Sequence, residues 1–187
     1  MDRRVPRGPG GWSLVELALA LSTGAVPAFA AGSLLSDAFS PPPADRESSL
    51  AMASMTRTLE TMQGGNVRFE DLFRAYNADP SDDPGGPGTG PGASFAVAGL
   101  EPRAGDADRA PGRIEFPSPE GSPELLREDL TAELFGLAVD HDLDGDGVVD
   151  DSNHAGNYLL LPVLVRVEWT GPSGEESRSL HTFPAKR

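Results

Sequence analysis

The densest run of ligand-type side chains lies at residues 142–153: Asp142-Leu143-Asp144-Gly145-Asp146-Gly147-Val148-Val149-Asp150-Asp151-Ser152-Asn153. Carboxylates alternate with small or apolar residues, which is the pattern of a tightly turning loop that aims oxygens at one point. With Asp142 at position 1, Asp144 and Asp146 take positions 3 and 5, the Val148 carbonyl position 7, Asp150 position 9 and Asn153 position 12. Gly147 falls at position 6, where such a loop turns most sharply. This donor set suits a hard cation. Ca²⁺ takes about six to eight oxygens on a flexible loop, whereas Mg²⁺ demands a strict octahedron and keeps its waters.

The register resembles that of EF-hand loops, in the dockerin-like and bacterial extracellular version, since no clear helices flank it. One position departs from the pattern. Asn153 offers a single neutral oxygen where a bidentate carboxylate is expected, and Asp140 and Asp151 are the neighbouring carboxylates able to compensate. A bound Ca²⁺ here would be structural, fixing the start of the strand that follows. The competing reading is a solvated acidic turn with glycine at its bends.

The elements around this loop follow from periodicity. Downstream, Tyr158 to Thr170 reads as a strand: Leu161, Val163, Val165, Val167 and Trp169 share one face, and Arg166, Glu168 and Thr170 the other. Pro162 places it at an edge or marks its beginning. Gly171-Pro172-Ser173-Gly174 is a turn, and Ser177 to Phe183 returns as the partner of a hairpin. Upstream, residues 123–138 are ambiguous, although Leu125, Leu126, Leu130, Leu134 and Phe135 suit a helix. A helix is expected from near Ala44, with Asp45 and Glu47 in its first turn and a packing stripe of Met52, Met55, Leu59 and Met62, ending at Gly64-Gly65. Phe69, Leu72, Phe73 and Tyr76 mark one face of another short helix. Residues 79–93 form a Gly/Pro-rich loop, and Phe95 to Leu100 and Arg113 to Phe116 are short strands. Helices first and antiparallel strands later predict an α+β fold.

The amino-terminal stretch is of another kind. Residues 12–35 contain one charge, Glu16. As a helix they would span about 36 Å, enough to cross the hydrocarbon core of a bilayer. Arg3, Arg4 and Arg7 precede this segment and Asp37 and Asp45 follow it, which places the amino terminus in the cytoplasm and the body outside. A carboxylate inside such a segment costs about 2.5–3.5 kcal/mol near its centre, so a use for Glu16 is expected. A second reading treats Arg3 to Arg7 as the n-region of a signal peptide, Leu14 to Leu21 as its apolar core and Ala28-Phe29-Ala30 as a cleavage site after Ala30. Pro27 favours this reading, since it weakens a membrane helix; a plain membrane anchor is the third reading. All three export the rest of the chain.

The sequence Gly11-Trp12-Ser13-Leu14-Val15-Glu16-Leu17 behind a basic leader resembles the processing signal of type IV prepilins and pseudopilins. The resemblance implies cleavage after Gly11 by a prepilin peptidase. Trp12 would become the methylated first residue in place of the family's usual Phe, and Glu16 would pair with the amino group of a neighbouring subunit during assembly. Residues 158–184 loosely resemble minor pseudopilins of type II secretion. The expected fold is therefore pilin-like: a leader at 1–11, a membrane-spanning helix at 12–38, a helical connector at 39–78 and a small head at 79–187 that ends in a hairpin. Pro41, Pro42 and Pro43 depart from the single long helix of that family. The implied function is that of a minor pilin or pseudopilin, single-pass in the bacterial inner membrane with a periplasmic head. Its partners would be other pilin or pseudopilin subunits and inner-membrane lipid, in an apparatus for secretion, pilus assembly or DNA uptake. The alternative is an exported soluble Ca²⁺-binding protein released after Ala30.

Composition narrows the rest. A net charge of -14 opposes nucleic-acid binding. There is no cysteine, so disulfide and thiol chemistry are excluded. His141, His154 and His181 occur without a His-Glu-x-x-His pair, and no Gly-x-Ser-x-Gly elbow is present. The sequence therefore reads as a non-enzymatic subunit, with its histidines on the surface or in loops.

Overall fold

A computed structural model describes residues 43–186. Gly11, Trp12, Glu16 and the expected membrane-spanning segment lie outside the described residues. Within them, three α-helices and a four-stranded antiparallel sheet form an α+β arrangement. No helix among the described residues is long and apolar enough to cross a membrane.

Helix α1, Pro43–Gln63, begins where the proline run ends. Proline suits a first helical position, because the N–H it lacks would have no helical partner there. Asp45 lies in the first turn, against the positive end of the helix. The buried face is formed by Ala51, Met55 and Met62, with Leu50 and Leu59 partly buried beside them. This face is rotated from the expected methionine stripe: Met52 is 41% exposed, and the small Ala51 is buried instead. The helix stops at Gly64-Gly65, where Gly65 takes a φ of +83°, a left-handed conformation that glycine adopts without strain.

The next helical segment is split. A 3₁₀ turn, Phe69–Asp71, runs into the short helix α2, Leu72–Tyr76, whose Leu72, Phe73, Ala75 and Tyr76 are buried. Tyr158 pins this segment from the far side of the sequence. Its hydroxyl donates to the Phe69 carbonyl at 2.5 Å and accepts from the Phe73 N–H at 3.3 Å. Burial pushes the Tyr158 phenol up to about 12.

The sheet consists of β1 (Ser94–Phe95), β2 (Gly112–Glu115), β3 (Val163–Gly171) and β4 (Gly174–Thr182), in that spatial order, with every neighbouring pair antiparallel. β3 carries the core. Val163, Val165, Val167 and Trp169 are buried along the face read from the sequence, together with Leu161 just before it. Each such aliphatic side chain contributes about 1.5–3 kcal/mol by leaving water. The regular strand starts one residue after Pro162, which has no N–H for a ladder, so the expected Tyr158 start is shortened. α1 packs across β3 and β4, and the Trp169 indole N–H donates to Glu47 Oε2 at 2.9 Å.

β1 is shorter than the expected Phe95 to Leu100. After Phe95 the chain turns, with the Leu100 N–H bonded to the Val97 carbonyl at 3.2 Å and Gly99 at a φ of +87°. Phe95 pairs with Gly112, and its ring occupies the space over that glycine; a Cβ there would lie 2.3 Å from the ring. Residues 77–93 contain no helix or strand, as their composition predicts.

Candidate metal centre

The acidic loop hangs between the short helix α3, Thr131–Phe135, and the start of β3. Its anchor is Leu143, which has no exposed surface and whose carbonyl accepts the N–H groups of Leu159 and Leu160 at 2.6 and 3.0 Å. A second tie joins the two ends of the region: the His154 N–H donates to the Leu126 carbonyl at 2.8 Å. A third comes from Thr131, whose hydroxyl oxygen accepts the His141 N–H at 2.7 Å.

Within this frame the loop is shaped by its own carboxylates. Asp142 accepts the Gly145 N–H on Oδ1 at 2.6 Å and the Gly147 N–H on Oδ2 at 2.8 Å. Asp144 Oδ1 accepts from the Asp146 N–H, and Asp146 Oδ1 from the Val148 N–H. Gly145 and Gly147 have φ values of +80° and +88°, so the bends need glycine. The backbone N–H groups of Gly147 and Gly145 hold the Asp142 carboxyl below the usual range, and the Ser152 N–H, followed by His154, does the same for Asp150.

The decisive residue is one that the spacing does not single out. Glu128 begins the 3₁₀ turn Glu128–Leu130 ahead of α3 and has no exposed surface. Its Oε1 accepts the N–H groups of Leu143 at 2.6 Å and Asp144 at 3.3 Å, and its Oε2 accepts that of Asp150 at 3.2 Å. A buried carboxylate from outside the loop thus grips the loop backbone at two places. The second residue is His154, 5% exposed, so it is a buried histidine rather than a surface one. Its Nε2 lies 3.1 Å from Asp150 Oδ1 and 3.7 Å from Glu128 Oε2, and its Nδ1 lies 3.5 Å from Asp144 Oδ2.

Two donor sets result, both using Glu128. Glu128, Asp142 and Asp144 form one, and Glu128, Asp150 and His154 the other; in each, the ligand atoms lie within 4.8 Å of one another. Each set can hold a metal ion. Of the residues read from the spacing, Asp142 and Asp144 thus share one set, Asp150 falls in the other, and Asp146 belongs to neither. Val148 is 58% exposed. Asn153 braces the backbone: its Oδ1 accepts the Leu126 N–H at 3.1 Å and the Ala155 N–H at 3.0 Å.

No family model matches the chain, no curated protein does, and no solved structure does.

Neither expected substitute for position 12 fills that place. Asp140 Oδ1 accepts the Ala132 N–H at 2.7 Å and the Thr131 hydroxyl at 3.2 Å, so it braces the first turn of α3. Asp151 is exposed and belongs to neither donor set. Glu128 is the one carboxylate from outside the loop that reaches both donor sets. Its local sequence gives no sign of this, because the segment around it is ambiguous and its proximity to the loop is a product of tertiary folding.

Proposed function

We propose that this chain is a minor pilin or pseudopilin, a membrane-anchored structural subunit whose exported head is clipped by Ca²⁺. One observation carries the reading: a basic leader, Gly11, a large aromatic at Trp12 and a lone carboxylate at Glu16 inside an otherwise uncharged segment. A free signal peptide has no use for that carboxylate, whereas a pilin subunit uses it to pair with a neighbour's amino group in the membrane, where each charge alone would be expensive. A helix laid over an antiparallel sheet is consistent with a pilin-type head, and the net charge of -14 suits a body outside the cytoplasm that binds cations rather than nucleic acid.

The Glu128–Asp142–Asp144 set suits the same role, with Ca²⁺ as the ion it would take. The donors are oxygens, the loop is bent at Gly145 and Gly147, and a small Gly/Pro-rich head gains stability from an ion abundant outside the cell. The ion would hold the loop against β3 and take no part in a reaction. The second reading, an exported soluble Ca²⁺-binding protein, is favoured by Ala28-Phe29-Ala30 and Pro27.

Processing separates the two. Gly11→Val is expected to leave the precursor uncut, heavier than the mature wild type by the leader, when both are weighed by mass spectrometry from cells that contain a prepilin peptidase. A Gly11→Val chain that matures to the wild-type mass would remove the pilin reading and leave the soluble one.

A further inference from the structure

We infer that Glu128, Asp150 and His154 form a second cation site, distinct from the calcium loop and selective for a transition-metal dication of the Zn²⁺ class. The inference depends on neither the filament reading nor the Ca²⁺ assignment, because it stands on a different donor and a different oxygen of Glu128.

The inference starts from the His154 imidazole. Its side chain is 6% exposed, and Nδ1 has no hydrogen-bond partner among the described residues. A buried polar atom left unpaired is costly and calls for an explanation. The ring is lodged among carboxylates on both sides, with Asp150 Oδ1 and Glu128 Oε2 at its Nε2 and Asp144 Oδ2 at its Nδ1.

Metal-bound histidines almost always follow one arrangement: one ring nitrogen ligates, and the other donates its N–H to a carboxylate that fixes the tautomer. Here Nε2 is the ligating nitrogen, in a set whose donor atoms lie within 4.8 Å of one another. Nδ1–H then points at Asp144 Oδ2, which is already held by the Asn157 amide at 2.7 Å. Closing the present 3.5 Å gap would satisfy the orphaned atom.

The separations fit. Ligands about 2.0–2.1 Å from a tetrahedral ion stand about 3.3 Å apart, and those from Nε2 to Asp150 and to Glu128 are 3.1 and 3.7 Å; the first is now a hydrogen bond, and the ion would take the place of its proton, which leaves to solvent as the metal binds. Imidazole nitrogen favours Zn²⁺ and its neighbours, while Ca²⁺ and Mg²⁺ take oxygen. The Asp150 side chain is 43% exposed, which leaves solvent access for the ion and room for a water as a further ligand. Glu128 divides its oxygens between the two sites: Oε1 faces Leu143 and Asp144, and Oε2 faces Asp150 and His154.

The test is a Zn²⁺ titration of the purified full-length chain by calorimetry, repeated in a large excess of Ca²⁺. One tight Zn²⁺ site that persists in Ca²⁺ is expected. His154→Gln should weaken Zn²⁺ binding by about 100-fold or more, since losing a direct ligand costs at least as much as losing an outer-shell partner, while leaving the Ca²⁺-induced rise in melting temperature intact. Asp150→Ala, at a half-exposed position that the fold tolerates, should lose Zn²⁺ in the same way if the histidine variant proves unstable. A wild type that takes up no Zn²⁺, Ca²⁺ that releases Zn²⁺ one for one, or a folded His154→Gln variant with undiminished Zn²⁺ affinity would each overturn the proposal. Zn²⁺ binding without any Ca²⁺ stabilisation would uphold this site and sink the calcium assignment alone.

Discussion

Glu128→Ala should be the most damaging single substitution around the loop, lowering stability by about 3 kcal/mol or more. Three backbone N–H groups, those of Leu143, Asp144 and Asp150, lose their acceptor when the carboxylate is removed. Each buried donor left unpaired costs about 1–3 kcal/mol. Part of that loss is offset, because the variant no longer takes a carboxylate out of water. Glu128→Gln keeps one carbonyl oxygen but brings an NH₂ group toward N–H donors on its other side, so it should fall between wild type and alanine. Urea unfolding followed by circular dichroism measures the difference. An alanine variant within about 0.5 kcal/mol of wild type, the range of an ordinary surface change, would mean that Glu128 does not hold the loop.

The next largest effect is expected from calcium itself. With free Ca²⁺ at about 100 times its dissociation constant, the folded head should gain about 2.7 kcal/mol, read as a higher melting temperature than in chelator. Asp142→Ala should erase that gain, since it removes both a ligand and the acceptor for Gly145 and Gly147. Mg²⁺ should substitute poorly, because it dehydrates reluctantly and demands an octahedron. Asn153→Glu should bring no improvement, although loop spacing alone assigns the missing bidentate ligand to that position. Its side-chain oxygen serves the Leu126 and Ala155 N–H groups, and Glu128 supplies the carboxylate instead. Equal melting temperatures with and without millimolar Ca²⁺ would reduce residues 142–153 to a solvated acidic turn.

Elements whose signal is local are legible in the sequence. The alternation from Leu161 to Trp169 marks a half-buried strand by itself, and Gly171 to Gly174 closes the hairpin with β4. The start of α1 at the end of the proline run follows from proline's fixed φ and missing N–H. What the pattern misses depends on partners far away in sequence. Ala51 rather than Met52 faces the core because the sheet lies against that side of α1, and a small residue carries little hydrophobic signal. β1 ends at Phe95 because the chain then turns through Val97–Leu100, and its cross-strand packing contact, the Phe95 ring over Gly112, depends on another strand and is encoded by no pattern within 95–100.

The same division runs through the candidate metal centre. Asp142, Asp144 and Asp150 announce themselves by spacing on one loop, and the structure divides them: Asp142 and Asp144 approach one side of Glu128 and Asp150 the other. Glu128 is a single acidic residue in an ambiguous segment, and only the fold brings it to the backbone of Leu143 and Asp150. His154 reads like any loop histidine, because burial cannot be inferred from one polar residue beside an acidic run. Glycine positions are the better guide: Gly145 and Gly147 stand at left-handed φ where the loop register requires bends.

The identity of the first residue of the mature protein tests the functional reading most directly. Edman degradation or terminal-peptide mass spectrometry of the chain purified from its native membrane should give Trp12, carrying a methyl group on its amino nitrogen. Ala31 in that place would contradict the reading, and would make the chain an exported soluble protein whose carboxylate at Glu16 is discarded with its signal.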